Sequence, residues 1–459
     1  MLFPTLAFVL FFVVVLALNA AVFDRGAWRK AVLLTASYAF YAAWDVRFLA
    51  LMAGVSATAY LGGLMVVRPQ WRRLALVGSI TVLLLILGFF KYFNFFALSL
   101  QQLLEAGGLG RDFTWMSVIL PVGISFYIFQ AISYVVDMDR GHVEQRRNPI
   151  DIFLYISFFP QLVAGPIVRA SHFLPQIDAP KRPDANARAE AVVLILVGLF
   201  KKMVVANYLS VLIVDPFYAL PDGQNLFTAT AAVLAYGIQI YCDFSGYSDI
   251  AIGVALLLGY RFTRNFNQPY RADSLRAFWQ RWHISLSTWI RDYLYIPLGG
   301  NHGSKARQML VLMTTMTLAG LWHGAGWNFL IWGALHGAGL ALERRWALRL
   351  GALNMVVVLV FVMLLWVPFR APSFAETLLV FEAFTRVESY APLTLTPFAL
   401  VLIGIGLAMN WLPLSWRDGS VRTLSKAPVI LQAGLLALGT WLCFAVAQEG
   451  VAPFIYFQF

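Results

Sequence analysis

Long apolar runs, each ended by a short basic loop, recur from one end of this chain to the other. They cover roughly 2–23, 31–45, 48–67, 74–90, 115–136, 150–168, 191–220, 226–260, 309–343, 352–369, 397–413 and 429–448. Several exceed the roughly 20 residues that cross a bilayer as a helix, so those segments must tilt, break or fold back. The pattern predicts an all-α polytopic membrane protein with about 11 to 13 membrane segments, in one integral domain over 1–459. No internal repeat is visible, which argues against a transporter built from inverted repeats. The first run, MLFPTLAFVLFFVVVLALNAAVF, has its positive charges (Arg25, Arg29, Lys30) after the apolar stretch. A cleaved signal peptide has the opposite order, so this reads as a first membrane helix with its N-terminus outside.

Composition agrees with the pattern: 60% of the 459 residues are hydrophobic and only 12% charged, against about a quarter charged in soluble domains. There are 34 Lys and Arg against 23 Asp and Glu. The excess sits in short loops between apolar runs, which is the signature of cytoplasmic loops rather than of a nucleic-acid surface. Cys242 and Cys443 lie in apolar surroundings without a CxxC neighbour, so neither a disulfide framework nor a metal framework is expected.

The largest interruption, Arg261 to Gln308, carries eight Lys and Arg and two acids. Its charge places it on the cytoplasmic side. Its middle, SLRAFWQRWHISLSTWIRDYLYIPLGG, is aromatic. If helical, Leu275, Phe278, Trp279, Trp282, Leu286, Trp289 and Ile290 share one stripe, as in a helix lying in the membrane interface. Such a segment either seals the bundle or forms a basic vestibule for an anionic substrate.

Of the six histidines, His142, His172 and His302 fall near loops or turns. The stretch LAGLWHGAGWNFLIWGALHGAG, Leu318 to Gly339, holds two more, His323 and His336. No carboxylate or Cys stands within a helical turn of either, so no metal site is expected. On one straight helix, thirteen residues would separate them by about 20 Å and roughly 140°, so they do not read as a pair. His323 lies among Gly320, Gly324 and Gly326, which loosen or break a helix. Irregular backbone at membrane depth is tolerated where it is buried in protein or lines a cavity. A buried imidazole there is neutral near pH 7 and suited to general-base work. His336, in GALHGAG, reads instead as a packing position, hydrogen-bonded to a neighbouring helix. YCDFSGYSD (Asp243, Ser245, Asp249) and SFFPQLVAGPIVR (Gln161, Gly165, Arg169) are polar within apolar context. Both fit either a cavity lining or helix capping.

Taken together, LPVGISFYIFQAISYVVD, FFPQLVAGPIVR, QIYCDFSGYSDIAIG, FNQPY, FWQRWHISLSTWIRDYLYIPLGGN and LWHGAGWNFLIWGALHG resemble the membrane-bound O-acyltransferase family. They run in order from about 119 to 340, and are most similar to its bacterial exopolysaccharide branch. The resemblance implies a ring of helices around a thin centre, with cytoplasmic and periplasmic funnels meeting at the family's central histidine. That histidine matches His323, and the family's second position matches His283. The implied activity moves an acetyl group from a cytoplasmic thioester, acetyl-CoA, across the inner membrane for O-acetylation of an exported, alginate-like polysaccharide. No bound cofactor is implied. His323 would act as base, and His283 would orient the donor or steady the oxyanion. Trp279, Arg281, Trp282, Trp322 and Asn328 are candidates for the donor vestibule and tunnel. The aromatic tail PFIYFQF makes Tyr456 a candidate acyl relay. The implied partner is a periplasmic SGNH-type acetyltransferase or a polysaccharide-modification complex, and no nucleic acid. Competing readings are a non-catalytic scaffold or transporter serving such an enzyme, and transfer of D-alanyl or another acyl group to a cell-wall polymer.

Overall fold

A computed structural model describes residues 3–109, 116–346, 350–388 and 393–447. Tyr456 lies outside the described residues. Every regular element among those described is helical, and the chain clusters into two compact units. Five helices are long and apolar enough to cross a membrane, consistent with a polytopic membrane protein.

The first unit is built from 7–181 and carries α1 (Leu6–Ala21), α2 (Gly26–Ala42), α3 (Leu49–Val66), α4 (Arg72–Ala106) and α5 (Ile124–Asp139). Short helices α6 (Pro149–Ser157), α7 (Phe159–Leu162) and α8 (Ala170–Asp178) follow. Residues 150–168, a single apolar run in sequence, therefore form two short helices. Pro160 opens the second of them, as expected of a residue that fits the first helical turn and lacks a backbone N–H. Gln161 is wholly buried, and its Nε2 donates to the Tyr155 carbonyl at 2.5 Å. Its role in the structure is local backbone satisfaction.

The second unit is built mainly from the described residues of 182–323 and 327–447. Its centre is α12 (Leu226–Leu257), a 32-residue helix buried along almost its whole length. The apolar run 191–220 packs against it as α9 (Ala185–Leu199), a π-helical turn at Phe200–Ala206, α10 (Asn207–Leu209), a second π-turn at Ser210–Val214, and α11 (Asp215–Ala219). The close approach is made by glycine. A Cβ on Gly198 would lie 2.6 Å from the Gly246 carbonyl oxygen, and one on Gly246 would lie 2.7 Å from that of Gly198. Only Gly at both positions lets the two backbones touch.

After α12 come the short α13 (Leu275–Trp279) and α14 (Ile284–Ile290), then α15 (Lys305–His323), α16 (Trp327–Arg345) and α17 (Leu353–Arg370). The unit ends with α18 (Phe374–Ala383), α19 (Pro397–Ala408), α20 (Leu414–Ser425) and α21 (Val429–Val446). α21 exposes Ile430 at 86% and Trp441 at 62%. An apolar face of that extent belongs against lipid.

The interfacial helix expected across Leu275 to Ile290 does not form as one piece. It breaks at 280–283, where His283 adopts φ 41° and ψ 56°. A left-handed non-glycine residue cannot continue a right-handed helix. The stripe of aromatic residues is real, but it turns inward: Leu275, Phe278, Trp282, His283, Leu286 and Trp289 are all buried.

Candidate active site

Two close helices set the site. A Cβ on Gly320 of α15 would lie 2.2 Å from the Phe329 carbonyl oxygen, and one on Gly333 of α16 would lie 2.3 Å from that of Met316. Gly337 in turn faces Met313 and Met316. Contacts that climb one helix as they descend the other make α15 and α16 antiparallel. His323, the last residue of α15, and His336 of α16 are therefore not on one straight rod, and the separation calculated for such a rod does not apply.

His323 is 4% exposed and ringed by aromatics. Trp322, Trp332 and Phe369 stand edge-on to it at centroid distances of 5.1, 5.1 and 5.4 Å. Trp332 also meets His336 at 4.7 Å. One indole thus contacts both histidines of the stretch. His336 packs further against Trp279 at 5.0 Å and Phe361 at 5.8 Å. Its expected hydrogen bond to a neighbouring helix is absent among the described residues, where both buried ring nitrogens find no hydrogen-bond partner. Its neighbours are rings, so its contribution is shape and ring contact.

His283 is wholly buried. Its ring lies 6.2 Å from Trp322 and 4.6 Å from Phe244 of α12. Trp322 therefore contacts both His283 and His323. The backbone around His283 is pinned: Ile284 N–H donates to the Asn265 carbonyl at 2.8 Å and Asn267 N–H to that of Arg281 at 2.9 Å. The Asn265 side chain is tied in as well. Its Oδ1 lies 3.2 Å from His283 Nδ1 and accepts from Ser285 N–H at 3.1 Å and from Ser285 Oγ at 2.9 Å. Its Nδ2 donates to Ser248 Oγ of α12 at 3.2 Å. Burial pushes the His283 imidazole down to about 3, because an apolar surrounding disfavours the charged ring.

A cavity of about 1150 Å³ opens among α13 to α17. Trp279, Thr315 and Phe361 contribute to its wall; Arg276, Arg291 and Arg344 bring positive charge, of which Arg291 is paired with Asp292 at 2.6 Å, and Asp273 brings negative charge. Glu343 also lines it, but its carboxylate is engaged by the Leu275 and Arg276 N–H groups at 2.5 and 3.2 Å. Trp279, whose far side touches Trp332 and His336, separates the cavity from the rings around His323.

The other vestibule and tunnel candidates sit elsewhere. Trp282 is buried between Phe278 and Trp366 at 5.7 and 5.0 Å. Trp322 is the indole that both His283 and His323 contact. Arg281 is partly buried, and its carbonyl holds Asn267. Asn328 is buried and donates to the Ala371 carbonyl at 2.8 Å, tying α16 to the end of α17. Of these five, Trp279 alone lines the cavity. No group of three or more metal-ligating side chains occurs among the described residues.

Sequence reasoning passed over two features. Lys201 and Lys202, inside an apolar run, reach Asp249 (2.7 Å) and Asp243 of α12. The polar seam continues through Gln239 Nε2 to Ser210 Oγ (3.0 Å), Ser210 Oγ to Asp215 (2.6 Å) and Arg370 to Asp215 (2.8 Å). Asp243 and Asp249 of YCDFSGYSD thus take part in an ion-paired helix interface. Two lysines at membrane depth demanded acidic partners, and that signal was available. Asn265 had no such signal, because nothing in sequence connects it with a residue eighteen positions away.

The chain is thus a helical membrane protein in which an aromatic-walled histidine lies two indoles from a cavity that carries three arginines and two carboxylates. Residues 80–371 match the membrane-bound O-acyltransferase family, and the chain belongs to that family and is an O-acyltransferase. It is similar to a probable alginate O-acetylase of Azotobacter vinelandii, with 44% identity over 75% of this chain and 70% of that one. The corresponding protein of Pseudomonas putida is 39% identical over 94% and 95%. A peptidoglycan O-acetyltransferase of Helicobacter pylori is 35% identical over 76% and 72%.

Proposed function

We propose that this protein is a cell inner-membrane O-acetyltransferase. It takes an acetyl group from acetyl-CoA on the cytoplasmic side and passes it across the membrane for O-acetylation of an exported, alginate-like polysaccharide. A periplasmic acetyltransferase is its natural recipient or partner. The names of the relatives support the polymer class. The observation that carries the chemistry is His323, buried among three aromatic rings and separated by two indoles, Trp332 and Trp279, from a cavity bearing three arginines.

The anionic nucleotide end of the donor fits the arginine-bearing cavity, and the acetyl thioester reaches inward past Trp279. His323 removes the proton of the acceptor hydroxyl as its oxygen attacks the thioester carbon. The new C–O bond forms, the C–S bond breaks, and the leaving thiolate takes the proton back from the imidazolium. A narrow aromatic enclosure positions the reactants and keeps water from the thioester. The immediate acceptor is a hydroxyl, with Tyr456 a candidate relay.

The test is acetyl transfer from acetyl-CoA by purified wild type, His323→Ala and His323→Gln. Folded variants should lose at least about 100-fold in rate, as befits removal of a general base. Wild-type rates would refute the base and favour a scaffold, which needs no His323. D-alanyl transfer would show as a preference for a D-alanyl thioester over acetyl-CoA. Full polymer acetylation by Tyr456→Phe in cells would remove the relay.

A further inference from the structure

We infer that Asn265 is a positioning residue that holds His283 as its Nδ1–H tautomer, so that Nε2 presents a lone pair and receives an O–H or N–H of the substrate. The inference rests on the reading of His283 as part of the site. It excludes the neutral ring as a hydrogen-bond donor through Nε2 to the developing oxyanion.

The pattern of donors and acceptors around the ring fixes the tautomer. Hydrogens and amide orientation are inferred from partners, and here one partner is unambiguous. The Ser285 backbone N–H can only donate, and it points at Asn265 Oδ1 from 3.1 Å. That assigns the oxygen end of the amide to the His283 side and the nitrogen end to Ser248, where Nδ2 donates at 3.2 Å. The Ser285 hydroxyl has one proton. It lies 2.9 Å from Asn265 Oδ1 and 3.5 Å from His283 Nδ1, so it donates to the amide. His283 Nδ1 therefore faces a carbonyl oxygen at 3.2 Å and must carry the hydrogen. A neutral imidazole has one N–H, so Nε2 is the acceptor.

The backbone supports the same device. His283 and Gln268 are the two non-glycine residues with positive φ among those described, and His283 stands in the turn that Asn265 holds. Strained backbone of this kind persists where surrounding bonds over-determine it. The two backbone bonds on either side of His283 and the four contacts of the Asn265 amide do so. Phe244 of α12, Phe266 and Trp322 pack against the ring and help hold its orientation.

The experiment uses the full chain in detergent micelles, with 15N-labelled histidine and His283→Gln to assign the signal. At neutral pH, His283 should show a protonated Nδ1 and an unprotonated Nε2. Asn265→Ala should move the proton wholly or partly to Nε2. Asn265→Asp keeps an acceptor and should keep the proton at Nδ1. A proton on Nε2 in the wild type, or an unchanged signal in Asn265→Ala, would overturn the inference. In turnover of acetyl-CoA, Asn265→Ala should lower kcat at least tenfold with KM within twofold, and Asn265→Asp should recover part of the loss. Equal kcat losses in both variants would overturn the positioning role. Wild-type turnover by His283→Gln would instead overturn the site reading beneath it, an outcome distinguishable from any change in the tautomer signal.

Discussion

Removing either member of the Lys202–Asp243 pair is expected to destabilise the second unit far more than removing both. The side chains are 3% and 4% exposed, and the pair lies between the π-turn after α9 and the middle of α12. Lys202→Met or Asp243→Leu alone breaks a buried ion pair and leaves one of its charges in a water-poor interface, at a cost of about 3–5 kcal/mol. The double variant leaves none and fills similar volume, so its change should fall near zero or be stabilising. The coupling across the cycle is then at least about 6 kcal/mol in magnitude, well beyond the few tenths seen for independent sites. Thermal unfolding in detergent, followed by tryptophan fluorescence, reads the effect. At about 2–4 °C per kcal/mol for domains of 150–250 residues, each single variant should melt on the order of 10 °C lower. Single variants within about 1 kcal/mol of wild type, or a double variant as unstable as the sum, would refute this account of the seam.

Three further outcomes are expected. Gly333→Ala would place a methyl 2.3 Å from the Met316 carbonyl oxygen, forcing α15 and α16 apart at about 1–3 kcal/mol; acetyl transfer should fall with stability, and an unaltered melting temperature would contradict the packing. The His283 imidazole is lowered from 6.5 to about 3 by burial. Its stability contribution is therefore complete above the unfolded value and is lost as pH falls from 6.5 toward 3, about 2 kcal/mol by pH 5. Melting between pH 7.5 and 5 should be less pH-dependent in His283→Gln than in wild type; equal slopes would refute it. Replacing both Arg276 and Arg344 with Gln should raise KM for acetyl-CoA roughly fivefold, at about 0.5 kcal/mol per charge, with kcat unchanged and a weaker salt dependence. A fall in kcat at constant KM would remove these arginines from donor binding.

Apolar periodicity and basic loops by themselves determined that this chain is helical and membrane-spanning, because a bilayer satisfies no backbone group and only long apolar helices survive in it. The glycines around His323 likewise announced a break, and α15 ends there. The tertiary structure decided the rest. Antiparallel packing through Gly320 and Gly333 brought His323 and His336 onto one indole, contrary to any count along the sequence. The left-handed turn at His283 converted a surface stripe into a buried wall, because one residue's φ redirects every residue after it. Asn265 became the partner of His283, and Lys202 that of Asp243, only through folding. Hydrogen bonds and ion pairs depend on distance in space, and local pattern carries no record of it.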